Sequence, residues 1–159
     1  MKKLKAKLTV IGKLHDSYAE EWGEHYIKLL EQFCTLEVTY LKEEKLSEGK
    51  NEVEVLRRES ERIIEEVKTG DFLIILDKGG KKFKSVDFAG FVENYYERSD
   101  VTLHFVIGGA IGVSEQILKF ADMKLSLSDM TFPHQLAVVV FLEQFYRAVS
   151  LIHHLPYHK

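Results

Sequence analysis

The chain has 159 residues, 45% hydrophobic and 30% charged, with a formal net charge of -3. That is one domain's worth of chain, able to bury roughly two thirds of its unfolded surface, and the balance excludes disorder. The net charge excludes a protein that coats nucleic acid through bulk positive charge, so any RNA contact needs a local basic patch.

Cys34 is the single cysteine and can form no intrachain disulfide, which fits a reducing compartment. Lys5, Lys7 and Lys13 interrupt the basic start before any signal-peptide apolar region, and the longest apolar runs fall short of a membrane span. A cytoplasmic protein with no membrane segment is expected.

A first strand runs from Leu4 to Ile11 and ends at Gly12. Ser17 and Glu20 have the spacing of a capping box, which predicts a helix carrying Tyr18, Trp22, Tyr26, Leu29, Leu30 and Phe33. A second strand is predicted from Leu36 to Leu41. A second helix follows from about Asn51 to Lys68, with Val53, Leu56, Ile63, Ile64 and Val67 as its apolar stripe. Glu54, Arg57, Arg58, Glu61 and Glu65 form its solvated face.

Phe72–Leu76 and Val101–Ile107 are continuous apolar runs, suited to strands buried on both faces of a parallel sheet. A helix from about Val86 to Tyr96 separates them. Ser114 caps a short helix with Ile117 and Leu118, Met123–Leu127 is a last strand, and Pro133 opens a final helix to about His153. The alternation predicts one domain over residues 1–159 with a three-layer, mostly parallel α/β sheet, and ligand sites at the carboxyl ends of its strands.

The final helix carries Leu136, Val139, Val140, Phe141, Leu142, Phe145, Tyr146, Val149 and Ile152 on more than one face. A second copy of the chain covering the extra face gives a two-fold homodimer. A helix wholly buried in the monomer is the alternative.

Two segments could carry chemistry. Val106–Gly112 is a glycine-rich turn after a buried strand, where a ligand can approach the backbone. It matches neither the dinucleotide spacing nor a phosphate-binding loop, which disfavours an enzyme using a nucleotide or flavin. Ser126–Gln135 joins the last strand to the last helix and mixes apolar side chains with hydroxyls and backbone groups. Such a loop can wrap a flat heterocycle; a plain capped helix start is the alternative.

Four motifs carry a resemblance. Ile107-Gly-Gly-Ala-Ile-Gly-Val113, Leu125-Ser-Leu-Ser-Asp-Met-Thr-Phe-Pro-His-Gln135, Leu142-Glu-Gln-Phe-Tyr-Arg-Ala148 and Leu155-Pro-Tyr-His-Lys159 resemble the RlmH family, bacterial methyltransferases of the SPOUT superfamily. The resemblance spans the chain and is most specific in its last third. It implies a C-terminal trefoil knot, which ordinary topology rules would not suggest. It also implies S-adenosylmethionine (SAM) as cofactor, a homodimer with substrate contacts from both subunits, and a pseudouridine of 23S ribosomal RNA as substrate, methylated at N3 on the ribosome. Leu76, Gly108, Leu127, Ser128, Asp129, Met130, Thr131 and Phe132 would contact the cofactor. Ala110-Ile111 sets an apolar residue inside the glycine loop.

Pseudouridine N3 holds a proton near neutral pH, so a nearby base would help. His153, His154, Tyr157, His158 and Lys159 are candidates for the substrate side. Tyr157 and His158 are singled out for positioning or proton handling, and Arg147 for a phosphate or base edge. A frayed, inert tail is the bland alternative. His153, His154 and His158 lack a carboxylate or thiolate partner, so no metal site is expected. The basic stretch Lys78–Lys84, with Phe83, reads as a flexible loop suited to RNA backbone contact or simply as a solvated loop. A non-catalytic ribosome-binding module of the same fold is the rival function.

Overall fold

In the computed structural model, which describes residues 3–46 and 51–158, five strands alternate with five helices. They run β1 (Leu4–Ile11), α1 (Ser17–Glu31), β2 (Cys34–Leu41), α2 (Glu52–Glu66), β3 (Asp71–Lys82), α3 (Ser85–Glu93), β4 (Thr102–Ile107), α4 (Glu115–Phe120), β5 (Met123–Ser126) and α5 (His134–Ile152). All strand pairs are parallel, in the order β2-β1-β4-β3-β5. The element order and the parallel α/β sheet agree with the sequence reading.

Alternate side chains of the central strands divide between two cores. Leu103, Phe105 and Ile107 of β4 face α1, α3 and α5, joining Tyr26, Leu30, Phe88, Val92, Phe141 and Phe145. Val106 faces the other way, with Ile11, Leu73 and Ile75, against Ile63 of α2 and Ile117 of α4. On that thinner side Thr9 Oγ1 lies 2.7 Å from His104 Nε2, and His104 Nδ1 lies 2.8 Å from Asp71 Oδ2. Lys7 Nζ completes the row, 3.2 Å from the same carboxylate oxygen.

Four local expectations are corrected. The capping box does not form: Ser17 is already helical, and Asp16 is the N-cap without a side-chain cap bond. Gln135 of α5 holds the segment entering the helix, its Oε1 accepting the backbone N–H groups of His15 and Asp16 at 2.9 Å each. The stripe of α2 is out of phase, because Val55, Glu59, Ser60 and Ile63 are buried while Val53 and Ile64 are exposed. Two of these polar residues tolerate burial by bonding: Glu59 Oε2 accepts from Glu44 N–H at 2.9 Å, and Ser60 meets Ser114 at 2.6 Å.

The basic stretch is not a flexible loop, since β3 runs on to Lys82 with a register shift against β5 between Leu76 and Lys81. Gly80 makes this possible, as a Cβ there would sit 2.6 Å from the carbonyl carbon of Lys124. Finally, α5 is long and apolar enough to cross a membrane by length and composition, unlike the expectation for the sequence, yet half of it is buried in the core.

Ser114 caps α4 as expected, accepting the Ile117 N–H at 3.3 Å. At the end of α5, His154 adopts φ 57°, and the Leu155 and His154 N–H groups bond to the Ser150 and Leu151 carbonyls at 2.9 and 3.2 Å. This is a Schellman-type stop with histidine where glycine is usual. It turns the tail back onto α1 and α5.

Candidate active site

The carboxyl ends of β3, β4 and β5 open into a cavity of about 360 Å³. Leu76 ends the buried part of β3, Gly108 follows β4, and residues 126–133 wrap the third side before Pro133 and His134 start α5. Its walls are apolar at Ile107, Leu125, Leu127, Phe132 and Ala137, and backbone edges fill the gaps. Gly108 is a geometric necessity, because a Cβ would meet Val113 Cγ1 at 2.5 Å and the Gly112 carbonyl oxygen at 2.8 Å.

Seven of the eight residues assigned to the cofactor line this cavity: Leu76, Gly108, Leu127, Ser128, Met130, Thr131 and Phe132. Asp129 does not line it. Its carboxylate points outward to Lys82 Nζ, at 2.5 and 2.6 Å. Lys78 Nζ donates to Thr131 Oγ1 at 3.0 Å. Two lysines of the basic stretch therefore hold the cavity loop, and a third, Lys81, lies over the Phe83 ring at 4.7 Å. Ala110 lines the cavity, while Ile111, the apolar residue inside the glycine turn, lies instead toward α2 with Val55 and Glu59.

The substrate-side trio is brought together, but away from this cavity. Arg147 lies on α5 13 residues beyond His134, roughly 20 Å along the helix. Arg147 Nη1 is 3.2 Å from His158 Nδ1, and the guanidinium stacks 5.0 Å from the centre of the Tyr157 ring. Glu143 organises the group: it pairs with Arg147 through both Nε and Nη2, and accepts from the Tyr157 hydroxyl at 3.1 Å. Tyr26 of α1 adds a hydroxyl contact to Tyr157 at 3.1 Å.

Burial, with the Tyr26 and Glu143 neighbours, pushes the Tyr157 phenol far above its usual range. It stays protonated at neutral pH, a donor and not a base. His153 instead packs against Phe33 and Tyr96, and His154 forms the helix stop. Lys159 lies outside the described residues.

Sequence reasoning gave no role to Glu143, Tyr26, Asp77 and His134, and read Lys78 only as part of a basic stretch suited to RNA contact. The i,i+4 spacing of Glu143 and Arg147 was a usable signal. His134 lines the cavity, and burial lowers its pKa against the pull of Glu43 and of the Ile11 and Gly108 backbone, so its ring stays neutral at pH 7.

An apolar cavity at parallel strand ends, closed by the loop before the last helix, is the setting of the SPOUT methyltransferase class. A family model described as a predicted SPOUT methyltransferase matches residues 4–158. The chain is 36% identical over 159 residues to a ribosomal RNA large subunit methyltransferase H of Acetivibrio thermocellus, covering 98% of this chain and all of that one. It is 37% identical over 155 residues to the protein of that name in Clostridium beijerinckii (96% and 98% covered), and 39% over 152 residues to that of Clostridium botulinum (94% and 96%). The chain belongs to this family, the ribosomal RNA large subunit methyltransferases H within the SPOUT methyltransferases. A Legionella pneumophila methyltransferase solved with bound SAM shares the fold, with a TM-score of 0.52 at 14% identity. The alignment covers 94% of this chain and 66% of that one.

Proposed function

We propose that this chain methylates N3 of a pseudouridine in 23S ribosomal RNA on the assembled ribosome, using SAM. It would do so as a single cytoplasmic domain, residues 1–159, working as a homodimer, with its last segment threaded into a trefoil knot. The observation that carries the reading is the cavity itself. It has apolar walls for an adenine and backbone edges for specificity, and its glycine turn, Gly108–Gly112, does not have the spacing of a phosphate-binding loop. That donor set fits SAM, which has no phosphate. Leu76, Gly108 and the 127–132 loop would hold it, Asp129 serving through its ion pair with Lys82 rather than by contact.

When bound, SAM supplies an electrophilic methyl carbon with a sulfur leaving group. The chain must aim N3 in line with that carbon and take away its proton. Positioning alone can supply several kcal/mol of the barrier, on the order of 7 or more in good cases. In this reading Arg147 holds a phosphate or base edge, Tyr157 donates a hydrogen bond, and His158 is a proton acceptor. As the N–C bond forms, the N3 proton passes to that acceptor and then to water.

The dimer is supported by distance and by surface. The trio stands far from its own cavity, and Leu136, Val139, Val140 and Leu151 leave a half-buried apolar stripe on α5. A second copy would cover the stripe and bring its tail to this cavity.

The test uses ribosomes from a strain lacking its own enzyme of this kind, with purified protein and methyl-labelled SAM. Label recovered as methylpseudouridine in large-subunit RNA is expected. Cofactor binding without label would redirect the search to other RNAs. Neither label nor cofactor binding would favour a non-catalytic ribosome-binding module.

A further inference from the structure

Among the described residues lining the cavity, Asp77 and Lys78 are the only acidic and basic side chains besides His134. They are neighbours in sequence, and side chains of neighbouring strand residues normally point to opposite faces. Both reach the cavity because the β3–β5 register shifts just after Leu76, and such irregularities re-aim side chains. The Asp77 rotamer is fixed by the Gly79 N–H, which donates to its Oδ2 at 3.0 Å. The Lys78 ammonium is tethered to the Thr131 hydroxyl. That bond leaves its charge uncompensated, whereas the charge of Lys82 is neutralised by Asp129. Among the described residues, neither Asp77 nor Lys78 has an ion-pair partner.

A cavity otherwise lined by apolar side chains, Ser126, Ser128, Thr131 and a neutral His134 thus ends in one free anion and one free cation. That is the complement of an amino-acid zwitterion. Resting on the reading above, we propose that Asp77 and Lys78 recognise the amino-acid end of the cofactor, Lys78 pairing with its carboxylate and Asp77 with its ammonium. The adenosine end then occupies the apolar part between Ile107, Leu127 and Phe132. Lys78 is in this account a cofactor-specificity residue, not an RNA contact.

The test is calorimetric binding of three compounds: SAM, decarboxylated SAM, and methylthioadenosine, which lacks the amino-acid chain. The wild-type protein is expected to bind SAM roughly tenfold tighter than decarboxylated SAM, as befits a charge-assisted bond at a partly exposed site. Lys78→Met should erase that preference. Asp77→Asn should weaken both compounds that keep the ammonium. Methylthioadenosine affinity should be unchanged in both variants, which also reports an intact cavity. A wild-type protein that binds SAM and decarboxylated SAM equally, or a Lys78→Met variant that keeps the preference, overturns the proposal and leaves the cofactor reading standing. Failure of the wild-type protein to bind any of the three overturns the cofactor reading as well.

Discussion

Lys82 Nζ lies 2.5 and 2.6 Å from the two carboxylate oxygens of Asp129, joining the far end of β3 to the loop that closes the cavity. Both side chains are more than half exposed, so the pair adds little to global stability, at most about 1 kcal/mol. Its effect is local, on the conformation of residues 127–132. Asp129→Ala is expected to leave the melting temperature nearly unchanged and to weaken SAM binding two- to fivefold. The loss should fade at 1 M salt, where an exposed ion pair is screened in the wild type too. Equal affinities at low salt would show that the loop keeps its shape unaided.

Gly108 and Gly90 make opposite predictions for the same change. Gly108→Ala drives a Cβ into Val113 and the Gly112 carbonyl, so the cavity wall must shift. Overpacking of this kind costs about 1–3 kcal/mol, and cofactor affinity should fall at least tenfold. Gly90 lies within α3 and a Cβ there meets nothing within 4 Å. Gly90→Ala should stabilise the protein by up to about 1 kcal/mol, by reducing the entropy of the unfolded chain. Thermal unfolding of the two variants, with and without SAM, checks both.

Burial, assisted by Lys7, lowers the His104 pKa despite its bond to Asp71. The folded state therefore keeps His104 neutral where the unfolded chain protonates it, below about pH 6.5. The unfolded state then binds more protons, and stability falls as pH drops from about 6.5 toward the lower folded pKa. Above 6.5 both states are neutral and the residue adds no slope. His104→Gln should flatten the acid limb of the stability curve, measured by urea unfolding between pH 5 and 7. An unchanged slope would assign it to His134 or His153, which are lowered as well.

How far the sequence alone reaches is clear from particular residues. β1, β4 and the parallel sheet were legible because Leu8, Val10, Phe105 and Ile107 form apolar runs that only a doubly covered sheet can bury. The cavity loop was legible because Thr131-Phe132-Pro133-His134-Gln135 is a long specific motif. The phase of α2 was not, since Glu59 and Ser60 look solvated and are buried only because Glu44 and Ser114 arrive from distant segments to bond them. The α1 capping box failed because the helix begins one residue early: Ser17 is already helical, and the Glu20 N–H bonds to the Asp16 carbonyl. The inward pair Asp77 and Lys78 accompanies a register shift in β3 whose local mark, Gly79-Gly80, reads equally as a loop.

His154 is strained by about 1 kcal/mol relative to glycine in its left-handed conformation. His154→Gly should be neutral to slightly stabilising, the relief being offset in part by the entropy of an unfolded glycine. His154→Val, with a β-branched side chain at positive φ, should destabilise by more than 1 kcal/mol on that scale and loosen the tail. If the ordered tail matters for transfer, activity should drop in His154→Val and survive in His154→Gly.

The separation between the Arg147 cluster and the cavity leads to a complementation experiment. In the proposed homodimer, Arg147→Ala is expected to disable the tail and Gly108→Ala the cavity, so either variant alone should transfer little methyl label. If a tail serves its own cavity, a mixed dimer has one broken part at every site and stays inactive. If a tail serves the partner's cavity, the mixed dimer pairs the intact cavity of one copy with the intact tail of the other. Co-expressing the two variants with different tags and isolating the mixed dimer should then restore up to about half the wild-type rate per dimer, because one of its two sites is whole. Loss of Arg147 should lower kcat while leaving SAM affinity unchanged, as expected for a group that acts on the substrate alone. A mixed dimer no more active than either parent would place the tail's action within one chain, and would require Tyr157 to swing away from Tyr26 and Glu143 to reach the cleft.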